Sequence, residues 1–315
     1  LKLRLSKLGE SPPISVKFMA FKHIYSLALV IILAGGGAVP KAMGQALIPH
    51  TLQIEPETLE RQGELLAQEA FQFMQFQQYD LALSQAKLAT QLIPQDHRVW
   101  LLLGQLYLLQ SEDSEAAIAS YERANTLDPD NAQTWFALGR VYLDQEDYPQ
   151  VIKHLQAGLK LAPYDKRAVF DLGVAYHRLD RLDLAVAQYK RTVVLESDFW
   201  PGINNIGLVE YERGDVAAAL EQWEKAVAID PEAAEPRLAI AVVRYDQGEV
   251  EEGLLLGEQA IALDPQYADL EFLRENLWGD KLIEATQAFL ANPRMQTVIP
   301  QAEEGEVNPQ DLDLN

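Results

Sequence analysis

The stretch Asn131–Pro163, NAQTWFALGRVYLDQEDYPQVIKHLQAGLKLAP, decides the fold, because its spacing recurs up and down the chain. It reads as two helices and a turn. A proline closes one copy and opens the next at Pro94, Pro129, Pro163, Pro231 and Pro265, with Ser197 in the one missing slot; the steps are 35 and then four times 34 residues. A fixed period of this size marks stacked repeats, each burying its apolar face only against its neighbours. The expectation is an all-α chain that works by holding something.

Outward from that stretch, a first unit spans Gly63 to Asp96, and further units begin at His97, Ala132, Lys166, Trp200 and Ala234, which places six units in residues 63–267. Before them, residues 45–62 read as a linker and a helix start, with Pro56 suited to a first helical position and acids in the first turn. After them, residues 268–293 read as a less regular helical pair that caps the last unit's apolar face. Residues 294–315 are expected to be an acidic tail, disordered beyond Pro300. Gly253 and Gly257, in the second helix of the last unit, lead to the expectation that this unit is the loosest of the array.

Residues 1–44 hold six basic residues and one acid, whereas the remainder holds 20 basic and 46 acidic residues. So acidic a body repels phosphate backbones, which argues against nucleic acid as a partner and makes a basic or neutral partner electrostatically easier. The uncharged run Ile24–Val39, IYSLALVIILAGGGAV, follows Lys22 and precedes Pro40-Lys41, the pattern of a secretory signal or a membrane anchor. A start at Met19 would give it a short basic end, with small residues at Ala42 and Gly44 for cleavage. Its 16 residues fall short of the roughly 20 that span a bilayer, and both readings, cleaved signal and retained anchor, remain open. In either, the basic flank stays on the cytoplasmic side and the body is exported, to the periplasm or the lumenal side of a thylakoid membrane.

No reactive constellation is visible. There is no cysteine, so disulfides, thiolate catalysis and cysteine-bound zinc are excluded. The histidines lack metal-ligand spacing, no Gly-x-Ser-x-Gly elbow occurs, and the acids are spread as solvating charge. A non-enzymatic chain without cofactor or metal is expected.

The units themselves carry a recognisable pattern. Trp135, Leu138, Gly139, Tyr142 and Pro163 recur as Trp100, Leu103, Gly104, Tyr107, Ala117, Tyr121 and Pro129, as Leu172, Gly173, Tyr176, Ala185 and Tyr189, and as Ile206, Gly207, Ala219, Trp223 and Pro231. This resembles the tetratricopeptide repeat, or TPR. The resemblance implies an α-solenoid, a superhelix of antiparallel helix pairs. Physically, the glycines are expected where the two helices of a pair meet, facing Ala117, Ala185 and Ala219.

The resemblance further implies that the first helices line a concave groove where a partner protein's segment lies. Carried onto this sequence, the candidate protein-binding residues are Phe136, Arg140, Arg167, Phe170, Arg178, Asn204, Asn205, Tyr211 and Tyr245, within a surface that also includes Phe71, Leu101 and Leu108. Arg140 with Asp144 and Arg167 with Asp171, four residues apart, have the alternative of pairing along their own helices. For Asn205 the alternative is a structural role, and for Phe199 and Trp200 it is packing under a shifted turn. The lysine and asparagine set of the chaperone-binding TPR clamp is absent. A finer similarity joins QALIPHTLQ, FWPGINNIGLVEY and DLEFLRENLWGDKL to thylakoid-associated TPR proteins of cyanobacteria, including one that associates with protochlorophyllide oxidoreductase. It implies a scaffold for an assembly protein or subunit of a photosynthetic membrane complex, or for pigment supply. That enzyme works on the cytoplasmic side, in conflict with export, so a periplasmic adaptor of secretion or cell-wall machinery is the alternative.

Overall fold

A computed structural model describes residues 55–305 and 307, and the expected signal or anchor, most of the linker and the last residues lie outside them. The described residues form α-helices and one 3-10 turn, with no strand among them. Six helix pairs come first: α1 (Pro56–Gln75) with α2 (Tyr79–Leu92), α3 (His97–Ser111) with α4 (Ser114–Leu127), and α5 (Ala132–Asp144) with α6 (Tyr148–Leu161). Then come α7 (Lys166–Arg178) with α8 (Leu182–Leu195), α9 (Trp200–Glu212) with α10 (Val216–Ile229), and α11 (Ala234–Asp246) with α12 (Val250–Leu263). Each pair packs internally, and each second helix packs on the first helix of the next pair. No described helix is long and apolar enough to cross a membrane.

Local chemistry sets the ends of these helices. The side chains of Asp96, Asn131 and Asp165 accept the N–H groups of Arg98, Gln133 and Ala168, and Asp113, Asp147 and Asp215 do the same for second helices. Each cap satisfies an orphan donor that would otherwise face no partner. The turn inside every pair passes through one left-handed residue, in order Gln77, Glu112, Glu146, Asp180, Gly214 and Gly248. The proline closing a unit leaves its carbonyl oxygen free to accept, and the indole N–H groups of Trp100 and Trp135 donate to Pro94 and Pro129, each at 2.9 Å. Arg191 and Arg237 serve Pro163 and Pro231.

Close approach within the pairs brings the glycines against large side chains of the second helices. A Cβ on Gly104 would lie 2.5 Å from the ring of Tyr121, one on Gly173 2.6 Å from Tyr189, and one on Gly207 2.5 Å from Trp223. At Gly139 the facing side chain is Leu155. The missing side chain thus makes room for the large residue of the second helix, while Ala117, Ala185 and Ala219 are fully buried. Tyr189 and Trp223 are completely enclosed as a result.

After the sixth pair come a 3-10 turn (Pro265–Ala268), α13 (Leu270–Glu275), α14 (Asp280–Leu290) and α15 (Pro293–Glu303). The tail expected from residue 294 is instead helical through Glu303. Asn292 caps this helix, Pro293 starts it, and it buries Met295 and Ala302. Arg294 fixes it to α12 through the buried Glu258, its Nη2 donating at 2.7 Å, and through Glu251 at 3.1 Å.

The last pair is likewise not loosened by its glycines. A Cβ on Gly253 would meet the backbone N of Tyr245 at 2.7 Å, so α11 and α12 lie in contact, and Gly257 receives the ring of Phe289 from α14. Leu238, Val242, Ile261, Leu273, Trp278, Leu282, Phe289 and Met295 belong to one apolar cluster there.

Candidate protein-binding face

The inner face is built by the side chains that first helices turn away from their second helices, and it has two contrasting parts. Along α1, α3, α5 and α7 it is open. Phe71 is 51% exposed, Arg98, Gln105, Arg140 and Arg167 are exposed, and Leu101, Leu102 and Leu108 are half-buried. Along α9 and α11 the equivalent side chains are buried: Asn204, Leu208, Glu235, Leu238 and Val242 all lie below 8% exposure.

Residues 270–290 cause the difference. Helix α14 packs on α9 and α11. The guanidinium of Arg178, at the end of α7, donates to the backbone carbonyls of Arg274, at 3.0 Å, and Glu275. At the end of α9, the Glu212 carboxylate accepts the N–H of Leu282 at 3.3 Å, and its backbone carbonyl accepts from Lys281 Nζ. Between these contacts the Trp278 indole N–H donates to Glu235 at 3.1 Å. Burial pushes the Glu235 carboxyl up to about 7, against the pull of hydrogen bonds from Asn204 and Trp278.

The predicted binding residues divide accordingly. Arg140 and Arg167 are exposed, and among the described residues neither forms an ion pair, not even with Asp144 or Asp171. Their field nevertheless reaches the half-buried Asp171, whose carboxyl burial pushes up to about 6 while both arginines oppose the shift. Phe170 is half-buried between Tyr189, 5.7 Å away, and Phe199, 5.2 Å away edge-on. Phe199 also lies under Lys166 Nζ, 4.6 Å from its ring centre, so it packs within the array.

The other predicted residues are buried or engaged by contacts within the chain. Phe136 is buried against Gly158 of its own pair, where the absent side chain admits its ring. Asn204 and Asn205 are buried, linked by a 3.2 Å hydrogen bond, and the Asn204 carbonyl accepts the Trp223 indole N–H. Arg178 is engaged by α13. Tyr211 is half-buried beside Trp223, and Tyr245 meets Phe289 edge-on at 5.3 Å while its hydroxyl accepts from Asn292.

Sequence reasoning missed Glu212, Glu235 and Trp278. A signal for the last was present in the Trp278-Gly279 pair, a large indole beside a residue that must turn; a Cβ on Gly279 would run into the Glu212 carboxylate. Among the described residues no group of three or more His, Asp and Glu could hold a metal ion.

Residues 108–145 and 207–248 match a family model described as TPR repeat, and residues 136–201 match one described as tetratricopeptide repeat. The chain therefore carries tetratricopeptide repeats through this region. No curated protein matches it. Among solved structures, pilF of Pseudomonas aeruginosa is 15% identical with a TM-score of 0.57, over 69% of this chain and 97% of its own. A MamA protein is 21% identical with a TM-score of 0.51, over 55% and 94%. MamA of Desulfovibrio magneticus RS-1 is 20% identical, again with a TM-score of 0.51, over 54% and 96%. At these identities the likeness establishes the fold.

Proposed function

We propose that this chain is a non-catalytic scaffold that holds a segment of a partner protein on the open part of its inner face, along α1, α3, α5 and α7. The observation that carries this reading is the aromatic, aliphatic and arginine surface there, with Phe71, Arg140 and Arg167 exposed beside the half-buried Leu101 and Leu108. Aromatic and arginine side chains are the types that dominate binding energy at interfaces. The part along α9 and α11 is left out of this role, because residues 270–290 occupy it.

The N-terminal run Ile24–Val39, with its basic flank, supports an exported or membrane-anchored scaffold that serves the assembly of a membrane complex, a photosynthetic one on the finer resemblance. The same segment, if cleaved, favours a second reading, a periplasmic adaptor of envelope machinery. Capture from membrane fractions with the chain and with a Phe71→Ala, Arg140→Ala, Arg167→Ala variant tests the site. Loss of one defined protein from the variant's catch is the expected result, and an unchanged catch refutes the open face as the binding surface. N-terminal sequencing of the mature protein separates the two locations.

A further inference from the structure

The covered part of the inner face is contacted in a way that ordinary capping of a solenoid does not require. Capping needs only apolar burial on α11 and α12, which Phe289, Leu282 and Met295 supply. Residues 270–282 reach further back, to α9 and α7, and what they meet there are charges. Arg178 donates to the carbonyls of Arg274 and Glu275 at the carboxyl end of α13, the first of which also accepts the Leu277 N–H; Glu212 binds the amino end of α14, where amides lack partners and the dipole is positive. The turn between the two helices inserts Trp278 onto the buried Glu235 and passes Glu212 at Gly279, where no side chain fits. Two helix ends, one indole and one glycine are thus read by three first helices in succession.

We propose that the face formed by α7, α9 and α11 is a recognition site for a helix–turn–helix segment with a Trp-Gly turn, and that residues 270–282 of this chain occupy it as a displaceable internal ligand. This goes beyond the partner site proposed on α1 to α7 and does not rest on it. Displacement is local because α15 is held separately: Arg294 grips Glu258 and Glu251 of α12, and Met295 is fully buried, so α13 and the turn can lift while the chain beyond stays docked. The segment's outward side is polar, with Glu271, Arg274, Glu275, Asp280 and Lys281 exposed or half-buried. A competitor therefore has to replace the two helix-end contacts and also the buried Leu273, Trp278 and Leu282, which belong to the apolar cluster.

A fluorescent peptide of residues 267–283 tests the proposal against the full chain and its Trp278→Ala variant, in which the internal copy is weakened. The peptide is expected to bind the variant at least tenfold more tightly than the unaltered chain, and to lose at least tenfold when Arg178→Ala and Glu212→Ala are added. Equal binding to both chains, indifference to Arg178 and Glu212, or no binding to a variant that keeps its helical circular dichroism overturns it. Should Trp278→Ala fail to fold, hydrogen exchange of the unaltered chain decides. Amides of Leu273, Asn276 and Trp278 exchanging at least tenfold faster than that of Val242 in α11 uphold a separately opening segment. Exchange at the same rate makes the segment an inseparable part of the core and sinks the idea.

Discussion

The two ends of the repeat array make the same hairpin and meet opposite fates. At the N-terminal end α1 and α2 have, among the described residues, a neighbour on one side only, and Leu65, Phe71, Phe76, Leu81 and Leu88 are exposed. At the C-terminal end α11 and α12 are wrapped by α14 and α15, and nine of the thirteen residues of α11 are buried. Each pair packs internally at both ends, so pair packing is a property of the repeat. Coverage of the inner face is set instead by the aperiodic helices beyond Pro265. The same inward position is open on α5, at Arg140, and sealed on α11, at Val242.

The largest test of this contrast exchanges aromatic rings for methyl groups. Phe289 is fully buried in the pocket left by Gly257, so Phe289→Ala is expected to cost about 3–5 kcal/mol in denaturant unfolding. Phe71→Ala, on the open face, is expected to cost less than about 0.5 kcal/mol. A comparable loss from both would mean that the N-terminal face is covered in solution and would break the comparison.

Glycine substitutions sharpen the other half of the argument, that pair packing does not distinguish the ends. Gly104→Ala and Gly207→Ala each place a Cβ 2.5 Å from a facing ring, Tyr121 in one case and Trp223 in the other. In an open helix the exchange would gain about 0.5–1 kcal/mol. In these positions overpacking reverses the sign, with an expected loss of about 1–3 kcal/mol at both sites by thermal or denaturant melting. Tolerance at one site only would show that the repeats do not share one packing rule.

Legibility in the sequence divides along the same line. Helix pairs were legible because everything that makes one, the glycine, the ring it faces and the closing proline, lies within a single period. The pairing of each ring with its glycine was not legible because spacing reveals a small residue without revealing which way its missing side chain points; the structure directs it at Tyr121 and Trp223. Helix α15 was hidden by the acidic composition after Pro300, although Asn292-Pro293 and the apolar Met295, Ile299 and Ala302 form a start signal and a face. Whether an inward residue is open was not legible at all. The contact between Arg178 and Arg274 spans 96 residues and joins a periodic segment to an aperiodic one, so no repeat pattern announces it.

The smallest expected effect is a difference of sign with pH. Buried Glu235 holds its proton up to about 7, whereas the unfolded carboxyl ionises near 4.5. Its contribution to the C-terminal region is complete below 4.5, declines as pH rises toward 7 and is flat above that. His154 on α6 behaves in the opposite sense. It is stacked on Tyr142 at 5.2 Å and near Trp135 at 5.7 Å, and burial lowers it to about 4 from 6.5. Its contribution is complete above 6.5 and is lost as pH falls toward 4. Between them α7 carries one group of each kind, Asp171 raised to about 6 and His177 lowered to about 4, and should respond little. Segment-resolved hydrogen exchange, corrected for intrinsic rates, is expected to show α11 and α14 losing protection from about pH 5 to 7 while α6 gains it. Neither slope should exceed about 1.4 kcal/mol per pH unit, the limit for one proton. Glu235→Gln should flatten the first slope and leave the second. If both regions move in the same direction, a single cooperative unfolding governs the array, and the two regions are not energetically separate.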